Sequence, residues 1–402
     1  DDIEGVGFIK ADEIANKLGI PKDDMRRIKA AIIYAMQYIA YQNGDLYLTD
    51  DQIKSYAAQV LGNEISLTEA IEHLVNENRL IVEDDRYYLA LSYYTELSLA
   101  NKLRELSNVE AKTYDVEYLQ TLLDAVEIQK NMQYTSVQKK AIITALSSPI
   151  SIITGGPGTG KTTIIDGLLE VYRIYNNLNY KNPAIYEKIA LMAPTGRAAK
   201  RMKELLNLDA KTIHRHLGYS YDGLFSYDEH HQMTQDLIVI DEASMIDIFL
   251  ANKLFSAIKD HAQVIIVGDV DQLPSVGPGQ VLGDLIDSNI LPVVRLNEIH
   301  RQAKDSRIIK LARSVNEQNL TSDDLISDND VYLYKASSDK IKQVIIKQIE
   351  GALTEGYSMI DDIQVLAPMY KGDLGIDSFN KLLQDHFNKN KKDGMTYGDK
   401  TY

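Results

Sequence analysis

Hydrophobic positions fall into two regimes along this chain. Between residues 150 and 300, four short runs are almost continuously apolar: Ile150–Thr154, Ile189–Ala193, Leu237–Ile240 and Val264–Val267. Runs of that length, separated by helical stretches, are what a parallel sheet covered on both faces requires. They predict a parallel αβα sandwich with its ligands at the carboxyl ends of the strands. Before residue 134 the pattern is mostly helical. A second helix puts Ile28, Ala31, Ile32, Ala35 and Ile39 on one face, after a first that ends at Gly19-Ile20-Pro21. Residues 50–61 and 67–78 read as two more helices. Leu80-Ile81-Val82 and Tyr87-Tyr88-Leu89 then flank a turn at Glu83-Asp84-Asp85-Arg86, an order that suits a winged helix. Residues 92–132 are helical and polar and are expected to link this part to the sheet. Five segments result: 1–44, 45–107, 108–134, 135–302 and 303–402.

The chemistry follows the strand ends. The first apolar strand breaks into Gly155-Gly156-Pro157-Gly158-Thr159-Gly160-Lys161-Thr162-Thr163, which fits G-x-x-x-x-G-K-[ST]. Without Cβ atoms the glycines let backbone N–H groups turn onto phosphate oxygens, and the helix N-terminus adds partial positive charge. Gly156 to Thr163 are the expected nucleotide cradle, with Lys161 reaching the β- and γ-phosphates and the Thr162 hydroxyl holding Mg²⁺. After Leu237–Ile240 come Asp241, expected on Mg²⁺, and Glu242, expected to polarise the attacking water. Gln272, in Gly268-Asp269-Val270-Asp271-Gln272, is placed to sense the γ-phosphate, and Arg301 is a candidate cation for the transferring phosphoryl group. Gln138 opens the helix before the first strand and can pair with adenine or simply meet solvent. The Asn-Lys pairs at 252 and 380 lack the aspartate of an Asn-Lys-x-Asp guanine reader, which favours ATP.

Composition narrows the picture without changing it. With 402 residues, 45% hydrophobic and 25% charged, the chain can bury several cores. No apolar run reaches the roughly 18 residues of a membrane span. The absence of cysteine excludes disulfides and thiolate metal sites and fits a cytoplasmic setting. The net charge of −15 argues against a general polyanion coat, which makes local cations informative. These gather at Pro194-Thr195-Gly196-Arg197 and Lys211-Thr212-Ile213-His214-Arg215-His216, loops of hydroxyls and cations suited to a nucleic-acid backbone. His214 and His216 have no carboxylate at ligand spacing, so no metal is expected there. The chain begins at Asp1, as a fragment or a processed product would. The Gly5-Val6-Gly7-Phe8 stretch is either a DNA-gripping turn or a cap within a small helical bundle. The three acids of the 83–86 turn favour a packing module over a phosphate contact.

Taken in order, the 155–162 loop, Ala193-Pro194-Thr195-Gly196-Arg197-Ala198-Ala199, Thr212-Ile213-His214-Arg215, Asp241-Glu242-Ala243-Ser244, Gly268-Asp269-Val270-Asp271-Gln272-Leu273-Pro274 and His300-Arg301-Gln302 resemble the RecD-like helicases of superfamily 1. The resemblance implies a RecA-like P-loop domain over 135–302, preceded by helix-hairpin-helix and winged-helix-like modules and followed by part of a second RecA-like domain. It implies an ATP- and Mg²⁺-dependent 5′→3′ motor, stimulated by single-stranded DNA, that serves recombination and repair. Gln138 would read adenine, and Pro194, Thr195, Arg197, Thr212 and His214 would touch single-stranded DNA or the 5′ tail of a duplex. Ile363–Gly372, with Lys371, resembles a DNA-facing segment of the second domain, and Gly5–Phe8 resembles the helix-hairpin-helix before the motor. Two later family motifs, a Thr-x-His-Lys-x-x-Gly-like DNA contact and a second-domain arginine, have no match here, so unwinding by this chain alone is not expected. The rival function is a nucleotide-gated DNA clamp or loader. A P-loop kinase is disfavoured, since it has no use for the loops after the second and fourth strands.

Overall fold

The computed structural model describes residues 7–62, 66–109, 114–296, 306–328, 330–388, 396–397 and 400–401. The chain divides into two compact units, Asp1–Lys304 and Asp305–Tyr402.

The first unit opens with α1 (Phe8–Lys17) and α2 (Met25–Asn43). The Asp24 carboxylate caps α2 by accepting from the Arg26 N–H, and Gly44, at φ 79°, ends it in the left-handed conformation. Buried Arg27 of α2 gives its Nε and Nη2 to the two oxygens of Asp12, so one bidentate pair fixes the angle between the helices. Next come β1 (Tyr47–Thr49), α3 (Asp50–Leu61), α4 (Thr68–Asn76), β2 (Leu80–Glu83) and β3 (Arg86–Leu89). The strands form an antiparallel sheet in the order β1-β3-β2. The turn is tighter than the four residues expected: Glu83 pairs with Arg86, leaving Asp84 and Asp85 at φ 48° and 61°. Two positive φ values are the signature of a two-residue type I′ turn, which aspartate tolerates. Phe8, Ile28, Ile32, Leu48, Ile53, Leu74 and Leu80 belong to one core cluster, so α1 to β2 pack as a single body.

Then follow α5 (Ala90–Asn108), α6 (Val116–Lys130) and α7 (Ser136–Ser147). The stretch expected to be a polar linker is not a spacer. Leu99, Leu103 and Leu106 of α5 pack with Ile152, Ile240 and Ile266 on one face of the large sheet. Leu119, Leu122, Leu123 and Val126 of α6 pack with Ile153, Leu191 and Ile265 on the other.

That sheet alternates strands and helices: β4 (Ile150–Gly155), α8 (Lys161–Tyr175), β5 (Ile189–Ala193), α9 (Gly196–Leu206), β6 (Ala210–Thr212), α10 (Ile213–His216), β7 (Leu237–Ile240), α11 (Ile248–Ser256), β8 (Gln263–Gly268), α12 (Val281–Asp287) and β9 (Val293–Leu296). The strand order is β6-β5-β7-β8-β4-β9 with every pairing parallel. The four expected strands form its centre; β6 and β9 are edges the apolar pattern does not reveal. Successive strand residues face opposite layers, so Ile152 and Ile153 lie in different clusters and each helix layer has its own core. Truncating one of these fully buried side chains to alanine should cost about 2–5 kcal/mol. Gln263, buried at the start of β8, donates Nε2 to the carbonyls of Ala145 (3.0 Å), Leu146 (2.7 Å) and Ser148 (3.0 Å), closing the end of α7.

The second unit contains α13 (Arg307–Asn316), α14 (Ser338–Thr354) and α15 (Ile376–Phe387), and β10 (Thr396–Tyr397) paired antiparallel with β11 (Lys400–Thr401). No parallel sheet occurs among its described residues, so they do not display the second RecA-like layer that the resemblance implied. The buried hydrophobics there are Val331, Ile349 and Phe379, whereas Ile360, Leu366, Met369 and Tyr370 are exposed.

Candidate nucleotide and nucleic-acid site

The loop after β4 has the geometry a phosphate needs. Gly158 and Gly160 have φ of 75° and 88°, a region that costs an L side chain roughly 1–2 kcal/mol. A Cβ on Gly155 would lie 2.7 Å from the Leu296 Cβ and 2.9 Å from both the Leu296 carbonyl and the Thr159 hydroxyl. The edge strand β9 therefore enforces glycine at the mouth of the loop. Thr159, buried, donates its hydroxyl to the Gly156 carbonyl (2.8 Å) and holds the curl closed. Lys161 begins α8 and folds back, donating Nζ to the Gly155 carbonyl at 2.5 Å and the Gly156 carbonyl at 3.2 Å. Its ammonium thus already lies over the cradle. Thr162 and Thr163 are half-buried in the first turn.

Register brings the other motifs alongside. Ile240 of β7 pairs with Ile266 of β8, so Asp241 and Glu242 leave the sheet beside Val267 and Gly268. Thr154 of β4 pairs with Gly268, so the cradle leaves beside Asp269. Three neighbouring strands deliver three motifs to one end. The Asp241 Oδ1 accepts from the Glu242 N–H at 2.9 Å. Burial pushes the Asp241 carboxyl above its ordinary value, against the pull of the Glu242 N–H and the cations Lys161 and Arg201. Glu242 adopts φ 54°, a left-handed conformation rare for a non-glycine, and its Oε2 is buried without a partner. A buried carboxylate oxygen with no donor is costly unless something arrives to use it. The glycine cradle, the lysine above it and these two carboxyls fit a triphosphate with Mg²⁺.

Gln138 is buried, and its Oε1 accepts from the Thr135 N–H (3.0 Å) while its own N–H donates to the Thr135 hydroxyl (3.3 Å). This capping box closes the start of α7 and gives the glutamine a structural role beyond either base pairing or solvation. The pairs at 252 and 380 are not the whole Asn-Lys set, because Asn390-Lys391-Lys392-Asp393 does have the Asn-Lys-x-Asp pattern; it lies outside the described residues, in the second unit.

The DNA candidates of the first unit sit at the ends of β5 and β6, on the far half of the sheet. Thr195 caps α9, accepting from the Ala198 N–H (3.2 Å), and Thr212 caps α10, accepting from the Arg215 N–H (3.2 Å). Arg197 is exposed in the first turn of α9, and Pro194 is half-buried before it. His214 packs edge-on against Tyr219, with Phe225 close by. His216 donates Nε2–H to the Leu191 carbonyl (3.0 Å), and burial lowers its pKa, which leaves it a neutral structural group. No group of histidines and acids among the described residues could hold a metal by itself. Gln272 is exposed, with its N–H donating to the Asp269 carbonyl (3.3 Å). Arg301 lies outside the described residues, and Lys371 is exposed in the second unit. Sequence reasoning missed Asp269 and Ser244. Asp269 is 1% exposed, and each has a buried side-chain oxygen without a partner; the only signal was their place inside motifs whose other members drew notice.

Fold and loop together define a P-loop nucleotide-binding protein of the parallel α/β type. Residues 138–278 match the model of an AAA domain, and residues 1–47 match that of the ATP-dependent RecD2 DNA helicase HHH domain. The chain is 28% identical over 408 residues to the ATP-dependent RecD2 DNA helicase of Deinococcus radiodurans, an alignment covering 96% of this chain and 53% of that protein. It is 31% identical over 319 residues to the RecBCD enzyme subunit RecD of Haemophilus influenzae, covering 64% of this chain and 48% of the other. The crystal structure of the Pif1 helicase from Candida albicans aligns with a TM-score of 0.37 at 19% identity, over 64% of this chain and 62% of that one. The chain is similar to RecD and RecD2 proteins, and it spans about half the length of the curated relatives it matches. No helix among its described residues is long and apolar enough to cross a membrane.

Proposed function

We propose that this chain is the ATP-hydrolysing part of a RecD-like DNA helicase, working 5′→3′ on single-stranded DNA or the 5′ tail of a duplex in recombination and repair. The cytoplasmic setting expected from the sequence goes with that DNA partner. The observation that carries the reading is the convergence of the Gly155–Thr162 cradle, the Asp241–Glu242 pair and the Gly268–Gln272 loop at the ends of β4, β7 and β8. The backbone N–H groups of the cradle and Lys161 bind and orient the phosphates. Thr162 and Asp241 would hold Mg²⁺, which neutralises charge on the β- and γ-phosphates when bound. Glu242 takes the proton of the attacking water, and its buried orphan oxygen is free to accept it. Arg301 completes the cationic set in this proposal, with Lys371 on the DNA.

ATP hydrolysis by the whole chain, with and without oligo-dT, tests the reading. Lys161→Ala should abolish ATP binding. Glu242→Gln should preserve binding while hydrolysis falls by roughly 10²–10⁴. Unchanged hydrolysis would remove Glu242 from its role, and absence of nucleotide binding by the unmodified chain would overturn the proposal. Because unwinding by this chain alone is not expected, hydrolysis without strand displacement fits both readings; ATP-dependent affinity for oligo-dT with no DNA-stimulated hydrolysis would favour the nucleotide-gated clamp.

A further inference from the structure

Asp269 is the most buried carboxylate of the first unit's described residues, at 1% exposure. One of its oxygens is engaged, since Oδ1 accepts from the Asp271 N–H (3.1 Å) and shapes the loop that carries Gln272. The other, Oδ2, is buried without a donor. A buried, half-satisfied carboxylate destabilises the fold, because its unpaired oxygen has lost water without gaining a donor. The strand end that carries it is pressed against the turn after Glu242. A Cβ on Gly268 would lie 3.2 Å from the Ala243 nitrogen and 3.3 Å from the Ser244 nitrogen. On that turn the Ser244 hydroxyl is buried and likewise without a partner. An orphan acceptor and an orphan donor thus sit on two segments in contact, one leading to Gln272 and the other leaving Glu242. Each is complementary to the other, and they are not bonded in this structure.

We propose that Ser244 and Asp269 are positioning residues of the nucleotide site. When nucleotide binds, the Ser244 hydroxyl donates to the free oxygen of Asp269 and ties the Gln272 loop to the Glu242 turn. Closing this bond satisfies two buried groups at once, so a small movement of either segment is enough to favour one arrangement over the other. Neither residue touches the phosphates in this scheme; the pair makes the position of Gln272 depend on that of Glu242. The inference rests on the nucleotide-hydrolase reading above.

The chain contains no tryptophan, and Leu273, beside Gln272, is 85% exposed, so Leu273→Trp supplies a single fluorescent reporter on the loop. Its emission is titrated with Mg-ATP alone and in combination with Ser244→Ala, Asp269→Leu and both. A fluorescent ATP analogue measures affinity in parallel. The expected result is an ATP-dependent emission change in the reporter chain that is lost in each variant and no further altered in the double variant, with analogue affinity held within about threefold. Ser244→Thr, which keeps the hydroxyl, should restore the change. A response of unchanged size in either variant overturns the proposal, as does a reporter chain that binds the analogue without any response. Failure of the unmodified chain to bind the analogue is a different result, and it removes the nucleotide reading itself.

Discussion

Asp241 and Glu242 show what a reactive pair costs the residues that form it. Asp241 is buried enough that its carboxyl resists ionisation, and Glu242 occupies a backbone region that favours glycine. Because burial raises the Asp241 value above the ordinary 3.8, the folded chain binds its proton more tightly than the unfolded chain does. The stability associated with the protonated form is therefore present at low pH and is lost as pH rises through the folded value. Asp241→Asn removes that loss. Its melting temperature should exceed the parent's at pH 7.5, by roughly 1–2 °C for each ~1 kcal/mol recovered in a chain of this size. The gap should narrow toward pH 4, while Mg²⁺-dependent hydrolysis disappears. Parallel thermal melts at the two pH values decide it, and a gap that does not shrink on acidification would show that burial of the charge is not the cause.

At the scale of the element, three expected contact residues turn out to be helix starts. Gln138, Thr195 and Thr212 all use their side chains to cap α7, α9 and α10. Capping is worth about 0.5–2 kcal/mol and does not exclude ligand contact, so the two roles must be separated by substitutions that keep one of them. Aspartate caps as well as threonine but repels phosphate. Thr195→Asp should leave the melting temperature unchanged and weaken oligo-dT binding by about tenfold, the equivalent of ~1.4 kcal/mol. Glutamate preserves the capping box at Gln138 but has no amide donor for a base. Gln138→Glu should therefore melt like the parent and bind ATP more weakly. If both variants bind their ligands like the parent, these side chains are caps alone.

Across the whole molecule the two units differ in how much they bury. The first has apolar layers on both faces of a six-stranded sheet, whereas the described residues of the second bury Val331, Ile349 and Phe379. With burial as the main stabilising term, the second unit should open at lower free energy. Limited trypsin digestion should cut first beyond residue 304 and leave a fragment that still binds the ATP analogue. Equal rates of cutting in both units would contradict that ranking.

Legibility followed the range of the forces involved. The centre of the sheet was readable because strands covered on both faces must be almost continuously apolar, and β4, β5, β7 and β8 are. Edges β6 and β9 escaped because Ala210-Lys211-Thr212 and Val293-Val294-Arg295-Leu296 carry polar residues that only an edge tolerates. Helices α5 and α6 read as a linker because exposed Leu91, Tyr94, Leu97 and Ile128 blur the stripe that packs on the sheet. The phosphate cradle was written in the sequence alone, since its positive φ values, its lysine and its helix N-terminus are contiguous and need only local interactions. Tertiary structure decided the rest. Strand order and register, set by non-local pairing, place Asp269 on the strand between the one that ends at Asp241 and the one that opens into the cradle. The same pairing buries Asp269 and Ser244 on touching segments, and burial of a polar group is a property of the neighbours the fold supplies.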